Sequence, residues 1–460
     1  MWQFLARYSS LRNLGIISVE HLILVVCTLV GFRVRFIGGM RLSWGGEHLI
    51  LKAIGIALIF QTINYFLDLY DFREAPLQSL RRRLKSLATG SVVVLFLMLA
   101  APSVLPGRGA TLIALCLIVV FYLLWHAALG FYVGLGPHTN VLVIGTNRLA
   151  QEVARELIKR PEMRLRVSGF LSNDPKMIGV RLVNPSVIGM TEDLSRLVVE
   201  QNVRRVVVAL TDRRGVLPIS ELLKLKCRGV RIEDGTTTYE RVTGKIAIEN
   251  LKPSWLIFNE GFEVSKATLL LKSVISVVVS SILLLLTSPI LLLAAIAVKL
   301  SSKGPIVFRQ ERVGQNGRIF ELLKFRSMRA DAEASSGPVW AALDDPRVTR
   351  VGRILRKTRI DELPQLWNVL RGDMHFVGPR PERPVFVQEL REKIPYYGLR
   401  HIVKPGITGW AQINYGYGRT EEDTVEKLQY DLFYIKNLSV LLDCLIMLET
   451  VKAVAKGKGV

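Results

Sequence analysis

Two adjacent carboxylates, Asp361 and Glu362, open the run Asp361-Glu362-Leu363-Pro364-Gln365-Leu366-Trp367-Asn368-Val369-Leu370-Arg371-Gly372-Asp373. Paired acids ahead of a proline at a helix start can hold a divalent cation and present an oxygen nucleophile to phosphorus. Arg356, Arg359, Arg380 and Arg383 lie nearby in the chain, and their planar forks match phosphate oxygens. Such a set would neutralise a diphosphate and its transition state. The plain alternative is that Asp361 and Glu362 cap a helix N-terminus, where Pro364 and the helix dipole favour acids. Capping leaves Pro379-Arg380-Pro381 unexplained, since there two prolines pin one arginine.

Upstream, Leu323-Lys324-Phe325-Arg326-Ser327-Met328 alternates apolar and basic side chains. As a strand it would direct Lys324 and Arg326 to one face, where both could meet a phosphate; a solvated edge-strand face is the commoner use of so short a run. Downstream, Lys404-Pro405-Gly406-Ile407-Thr408-Gly409-Trp410-Ala411-Gln412 reads equally as a loop contacting a nucleotide or sugar through Thr408, Trp410 and Gln412, or as a structural turn with a packed tryptophan. Asp373, after Arg371-Gly372, reads as a turn residue.

The elements that must position these residues belong to a mixed membrane protein. Half of the 460 residues are hydrophobic, too many for a soluble enzyme, while 22% are charged, too many for a pure membrane bundle. Lys and Arg number 61 against 39 Asp and Glu, a formal charge of +22 that suits anionic lipid, nucleic acid or a phosphate-bearing substrate. The long apolar segments select the membrane and argue against nucleic acid. Cys27, Cys116, Cys227 and Cys444 form no CxxC pair, which indicates neither a zinc site nor a disulfide framework.

Four apolar stretches, 14–32, 49–67, 87–105 and 110–133, each approach the ~20 residues needed to cross a bilayer. No cleavable leader is recognisable before the first, which is expected to stay. Arg7 and Arg12 before the first stretch and Arg81-Arg82-Arg83 with Lys85 before the third put both ends of this region on the cytoplasmic side; Arg33, Arg35 and Arg41 fall on the opposite side and resist that assignment. Glu20, His21, Asn64 and His126 within the stretches could line a pathway, but polar groups at helix contacts are ordinary in bundles.

From Asn140 the pattern changes to alternating β-rich runs (141–144, 167–171, 206–210, 230–232) and helical repeats, the signature of a Rossmann-like parallel α/β domain. Its first turn, Gly145-Thr146-Asn147, carries Asn147 where the dinucleotide fingerprint has a second glycine, and Asp174 fits the Asn173-Asp174-Pro175 turn at least as well as a ribose. A structural or regulatory domain follows more readily than a nucleotide site. A further apolar segment, about 268–300, carries Ser288-Pro289 near its middle, where a kink or break is expected and where Thr287 and Ser288 hydroxyls could satisfy freed carbonyls. Whether it crosses the bilayer or returns to the same face is open on the residues alone. The domains expected are therefore 1–136 with four transmembrane helices, 137–262 Rossmann-like, and 263–460 an α+β catalytic domain with its own membrane helix.

From about Ala267 to Val460, LLKFRSM, LRKTRIDELPQLWNVLRGDM, FVGPRPERP and VKPGITGWAQINYG, in this order and spacing, resemble the polyprenyl-phosphate phosphoglycosyltransferases of the monotopic class. The leading helices and the α/β domain resemble the large bacterial sugar transferases that start exopolysaccharide and O-antigen synthesis, with a weaker likeness to the exosortase-associated branch. The resemblance implies that Asp361 attacks the sugar-bearing phosphorus of a UDP-sugar and releases UMP, and that undecaprenyl phosphate then takes the phosphosugar. It implies Mg²⁺ held by Asp361 and Glu362, Glu362 as metal ligand or proton acceptor, and Arg380, Arg356 and Lys324 as phosphate binders. It also implies a re-entrant helix around Ser288-Pro289 and a catalytic domain on the cytoplasmic face of the bacterial inner membrane. The α/β domain would offer a surface for a homodimer or for other polysaccharide-assembly proteins. Two rival readings are a membrane-bound nucleotide-sugar dehydratase or epimerase, disfavoured by the lack of a Tyr-x-x-x-Lys pair, and a non-catalytic polysaccharide-assembly scaffold, disfavoured by the intact Asp361-Glu362 and Pro379-Arg380-Pro381.

Overall fold

The computed structural model describes residues 11–34, 48–70, 76–101, 105, 108–135, 138–210, 217–248, 251, 253, 256, 261–263, 265–329, 346–416, 418 and 420–456. Arg7, Arg35 and Arg41, used above for orientation, lie outside them. The chain divides into two compact units, Met1–Asp234 and Gly235–Val460.

The first unit begins with four helices, α1 (Leu11–Val34), α2 (Leu49–Phe66), α3 (Pro76–Ala100) and α4 (Arg108–Leu135). Each contains a stretch long and apolar enough to cross a membrane: 15–34, 49–66, 80–100 and 108–129. The third departs from expectation. Arg81, Arg82 and Arg83 lie inside the helix rather than before it, and it ends at Ala100 rather than 105. Pro76 occupies the first position, where its missing amide costs nothing, Arg and Lys are good helix formers, and Pro102 disfavours helix in the residue before it.

Leu24, Ile56, Phe60, Val94 and Ile118 form a common apolar core of these helices. A Cβ at Gly31 would lie 2.4 Å from the Ala114 Cα, so glycine is what lets α1 and α4 approach so closely. The embedded polar residues serve helix contacts: Asn64 Nδ2 donates to Glu20 Oε1 (2.6 Å), as does the Tyr70 hydroxyl (2.9 Å), and His126 Nε2 lies 3.5 Å from Glu20 Oε2. Ser86 donates to Asn64 Oδ1 from α3, and His21 pairs with Gln61.

The α/β part follows with β1 (Thr139–Ile144), α5 (Arg148–Ile158), β2 (Leu165–Ser172), β3 (Val187–Met190), α6 (Leu194–Glu200), β4 (Val203–Val208), α7 (Ile219–Cys227) and β5 (Arg231–Asp234). The sheet is parallel throughout, in the order β3-β2-β1-β4-β5. Leu142, Ile144, Leu171, Val206 and Val208 bury one face against Leu194, Leu197, Leu222 and Leu225. The short edge strand β3 was not anticipated. Asn147 caps α5, its side chain accepting from Ala150 N (2.9 Å), and Asp174 accepts from Lys176 N in its turn (2.9 Å). Gly145 has φ +118°, and a Cβ there would lie 2.5 Å from the Ala209 carbonyl oxygen at the end of β4. The glycine is required by the close passage of two chain segments.

The second unit opens directly after β5 with α8 (Gly235–Thr243), a segment the sequence grouped with the α/β domain. Glu240 of α8 pairs with Lys436 (2.7 Å), Lys245 pairs with Glu426, and the Gly244 carbonyl accepts from the Trp410 indole (2.8 Å). Then comes α9 (Lys266–Ser301), 36 residues long and apolar enough to cross a membrane. The expected interruption at Ser288-Pro289 is not a break: the helix runs through Pro289. Proline leaves the Leu285 carbonyl without its amide donor, and the Ser288 hydroxyl donates to that oxygen instead (2.8 Å), while Thr287 donates to Leu283 O (2.7 Å). The remaining elements are β6 (Val307–Val313), β7 (Ile319–Phe325), α10 (Arg350–Thr358), α11 (Gln365–Arg371), β8 (His375–Val377), α12 (Pro384–Lys393), β9 (Gly406–Thr408), α13 (Trp410–Asn414), α14 (Glu421–Lys436) and α15 (Val440–Ala455). Strands β6 and β7 form an antiparallel hairpin, and β8 pairs in parallel with β9.

Gly145→Ala is expected to destabilise the first unit by about 1–3 kcal/mol. Pulse proteolysis of the full-length protein in urea would show a lower midpoint; an unchanged midpoint would refute the close-passage account.

Candidate active site

Helix α10 is amphipathic, capped at its start by Thr349, whose hydroxyl accepts from Gly352 N (2.9 Å), and stopped by Arg359 in the left-handed region at φ +61°. The chain then makes a single 3-10 turn, Ile360–Glu362, before α11 begins after Pro364. Neither carboxylate caps α11, whose N-cap is Pro364 without a side-chain bond. The capping alternative is not what these acids do.

Glu362 Oε1 is the meeting point of three cations. Arg380 Nη2 lies 2.7 Å away, Lys324 Nζ 3.1 Å and Arg359 Nη1 3.7 Å. Burial by itself would raise this carboxyl, but Arg380, Lys324 and Arg359 outweigh it and hold Glu362 well below the usual range. Asp361, its neighbour, is pushed the other way, up to about 6, by burial first and by the Glu362 charge second, against the pull of Lys324, Arg356 and Arg359. Asp361 Oδ1 is buried and has no hydrogen-bond partner among the described residues. One carboxylate is saturated with donors; the other offers an oxygen. Burial also lowers Lys324, with Glu362 opposing the shift.

Lys324 reaches Glu362 because Asn368 stitches β7 to α11: its side-chain oxygen accepts from Leu323 N (3.0 Å) and its amide donates to Glu321 O (2.7 Å) and to Asp373 Oδ2 (3.2 Å). Asn368 is fully buried while the adjacent Trp367 is 54% exposed, the reverse of what hydropathy suggests. Arg380 is delivered by Val377-Gly378-Pro379, with prolines on both sides. Arg312, not singled out in the sequence, reaches across from β6 and donates to the Pro381 carbonyl (2.9 Å). Its burial lowers it to about 10, still charged at neutral pH.

The other anticipated residues divide. Arg356 Nε donates to Ser327 Oγ (2.9 Å) at the end of α10, within electrostatic reach of Asp361. Arg326 does not share a strand face with Lys324, because β7 ends at Phe325; its guanidinium turns to the end of α9 and donates to Ser302 O (2.6 Å) and Ser302 Oγ (3.0 Å). Arg383 starts α12 and lies over the Phe386 ring, 5.9 Å from its centroid. Thr408 is buried against Thr450 (2.7 Å between hydroxyls), Trp410 stacks on Phe433 (5.9 Å between centroids), and Gln412 donates to Ile407 O (3.1 Å). These contacts fit a packed structural turn, while Gln412 Oε1 is buried without a hydrogen-bond partner among the described residues. Asp361 and Glu362 would have to share any metal with substrate oxygens and water, since no group of three His, Cys, Asp or Glu side chains suited to a metal exists among the described residues.

A buried, unpartnered carboxylate oxygen ringed by twice as many cations as carboxylates, in a unit with an apolar helix long enough to enter a bilayer, is the arrangement of a membrane-associated protein suited to an anionic ligand. Residues 267–457 match the family model described as bacterial sugar transferase. A UDP-N-acetylgalactosamine-undecaprenyl-phosphate N-acetylgalactosaminephosphotransferase from Aeromonas hydrophila is 43% identical over 220 residues, 48% of this chain and 51% of that one. An undecaprenyl-phosphate glucose phosphotransferase from Komagataeibacter xylinus is 32% identical over 419 residues, 87% of this chain and 76% of that one. The exopolysaccharide production protein PSS of Rhizobium leguminosarum bv. phaseoli is 40% identical over 200 residues, 42% of this chain and 98% of that one. The chain thus spans about half the length of the first of these relatives and three quarters of the second. Among solved structures, RSP, a Rex-family repressor, matches at TM-score 0.21 and 13% identity over 40% of this chain and 87% of its own, too distant to carry an argument. The chain belongs to the bacterial sugar transferase family of polyprenyl-phosphate phosphoglycosyltransferases.

The opposed carboxylates predict opposite stability effects. Because the folded value of Asp361 lies above the ordinary 3.8, the unfolded chain loses its proton first as pH rises. The ionised side chain therefore opposes folding, in full above about 6, by something on the order of 2–3 kcal/mol. Asp361→Asn should raise the urea midpoint at pH 7.5 and lose that advantage near pH 4. Glu362 has a depressed value, so its contribution is present above the usual carboxylate range and is lost as pH falls; Glu362→Gln should lower the midpoint at pH 7.5.

Proposed function

We propose that this protein transfers a sugar 1-phosphate from a UDP-sugar to undecaprenyl phosphate through a covalent phosphosugar on Asp361, releasing UMP. The observation that carries the reading is the asymmetry of the acid pair: Glu362 locked ionised by Arg380, Lys324 and Arg359, Asp361 buried with a free oxygen. The relatives' names support the substrate class, and they divide between N-acetylgalactosamine and glucose. The name of a third, an exopolysaccharide production protein, supports a role in exopolysaccharide production.

In the first step an Asp361 carboxylate oxygen forms a bond to the sugar-bearing phosphorus of the UDP-sugar, the bond from that phosphorus to the bridging oxygen breaks, and UMP leaves with the electron pair. In the second, a phosphate oxygen of undecaprenyl phosphate attacks the same phosphorus and Asp361 leaves as carboxylate, giving undecaprenyl diphosphate sugar. Two displacements replace one difficult transfer. The obstacle to the first is the repulsion between a carboxylate and a polyanionic diphosphate. Lys324, Arg356, Arg359 and Arg380 surround the pair and offset that repulsion. Mg²⁺ fits here with Asp361 as its protein ligand, the unpartnered Oδ1 being the free donor, and Glu362 beside it. When bound, the ion cancels charge on the diphosphate and polarises it.

Both flanks of Pro289 pack on the same compact unit. Lys272 and Ser276, before it, meet β8; Ala294 and Val298, after it, join Phe325 and Leu355. Between them Leu285, Leu286, Leu292 and Leu293 are each more than 60% exposed. A helix bent at Pro289, entering and leaving the membrane on one face, would account for this pattern and would keep the site at the cytoplasmic face of the inner membrane, where a water-soluble nucleotide sugar and a lipid phosphate can both reach it.

Full-length protein in lipid nanodiscs with Mg²⁺, undecaprenyl phosphate and a panel of UDP-sugars is expected to release UMP. Without the lipid phosphate a burst of about one UMP per enzyme should appear. Asp361→Asn should abolish both, Arg380→Ala should cost about 10²–10³ in kcat, and activity should rise with pH through about 6 as Asp361 ionises. Release of UDP, or an active Asp361→Asn, would overturn the mechanism.

A further inference from the structure

The backbone that carries Arg380 to Glu362 is held at almost every carbonyl by side chains or strands from elsewhere in the second unit. The Val377 carbonyl accepts from Lys272 Nζ (2.8 Å), and the Arg380 carbonyl accepts from Arg400 Nη2 (2.9 Å). Between them Gly378 N donates to Thr408 O (2.8 Å) and Pro379 O accepts from Gly406 N (3.0 Å). Both cations that hold the ends of this segment sit in buried ion pairs. Lys272 meets Asp443 Oδ2 at 2.6 Å and donates to the Tyr434 hydroxyl, which in turn donates to Asp443 Oδ1 (2.8 Å). Arg400 Nη2 meets Asp431 Oδ2 at 2.8 Å while Nη1 donates to the Tyr397 hydroxyl (2.7 Å). Lys272, Arg400, Asp431 and Asp443 are all less than 8% exposed.

Buried ion pairs of this kind are poor sources of net stability, because desolvation cancels most of the attraction and apolar replacements of similar volume often fold as well or better. What an ion pair supplies that an apolar cluster lacks is direction: each cation here has a spare donor, and each spends it on a carbonyl at one end of the same four residues. The lysine is notable because it comes from α9, otherwise the most apolar helix of the unit. Asp431 and Tyr434 stand one turn apart on α14, so a single helix face braces both ends.

We propose that the two ion pairs, Lys272–Asp443 and Arg400–Asp431, are positioning residues that clamp the Val377–Arg380 backbone so that the Arg380 guanidinium meets Glu362. None of the four has Asp361 or Glu362 as a polar partner; they act through the backbone. The consequence for turnover rests on the transfer reaction proposed above, while the clamp itself does not.

Two variants test it in the full-length protein. Arg400→Lys keeps the charge opposite Asp431 but removes the fork that spans Asp431, Tyr397 and the Arg380 carbonyl; Lys272→Met keeps the side-chain length and removes the donor. Hydrogen exchange of peptides covering residues 375–383 should accelerate about tenfold or more in both, with peptides from β6, β7 and α11 unchanged. UMP release should fall about ten- to a hundredfold in kcat with a much smaller change in the donor KM. In an Arg380→Ala background the same changes should cost little further, since the group being positioned is gone. Exchange that is unchanged at 375–383, or that rises throughout the unit, would overturn the clamp, as would losses that multiply undiminished in the Arg380→Ala background. A wild type that releases no UMP would sink the transfer reaction instead, and the exchange measurement alone would then decide the clamp.

Discussion

The second unit is organised around one electrostatic arrangement, an ionised glutamate buried under three cations. Two carboxylates adjacent in sequence cannot both be comfortable in a desolvated site, and the protein resolves the conflict by giving Glu362 nearly all the donors. The asymmetry defines the two roles. Glu362 becomes a fixed negative charge that gathers Lys324, Arg359 and Arg380 into one place, and those cations are then available to a second anion. Asp361 inherits the cost: burial and its neighbour's charge raise it, which leaves it a stronger base than an ordinary aspartate.

Each cation arrives on a different element, so the arrangement depends on how those elements are joined. Lys324 comes on β7, tied to α11 by Asn368; Arg359 ends α10; Arg380 follows β8. The joints are polar and buried, with geometric demands that apolar packing does not make. An apolar core of Leu322, Val369 and Met374 lies beneath the joint between β7 and α11 and supplies adhesion. The hydrogen bonds set the register, and a slip of one residue on β7 would turn Lys324 away from Glu362.

Legibility in the sequence followed the range of the interaction. The acid pair, Arg380 between prolines and Lys324 were readable because residue type and spacing announce their chemistry. The five apolar helices were readable from their length, and four of the five strands of the parallel sheet from β-rich runs. What could not be read were contacts that join distant segments. Arg326 has the same residue type and the same local pattern as Lys324, but the strand stops at Phe325 and its side chain turns to Ser302. Arg312, Arg400 and Lys272 are unremarkable in a chain with 61 basic residues, and only the fold brings them to the carbonyls they hold. Trp410 looked as much like a binding residue as a packing one until its indole was seen to donate to Gly244. The hydroxyls near Pro289 were anticipated as donors, and Ser288 does take the freed carbonyl; of the kink or break expected there, the helix is not broken.

The apolar helix α9 also bears on why the site can be charged at all. A cluster of four cations and two carboxylates close to lipid would be costly if the bilayer were its surroundings, yet the lipid phosphate of the proposed reaction would have to reach it from the bilayer. The helix separates the two requirements. Its apolar side chains are exposed along most of its length, from Leu270 to Leu300, while Lys272 binds Val377 and Asp443, and Ser302, just past its end, binds Arg326. A few polar contacts therefore hold the helix to the body that carries the charges, and its exposed apolar side chains suit lipid. The same residues that fasten the helix to the unit also brace the segment leading to Arg380, so anchorage and active-site geometry share one set of contacts. A change in how α9 is seated would then be felt at Glu362 through the Val377 carbonyl, without any side chain of the helix entering the site.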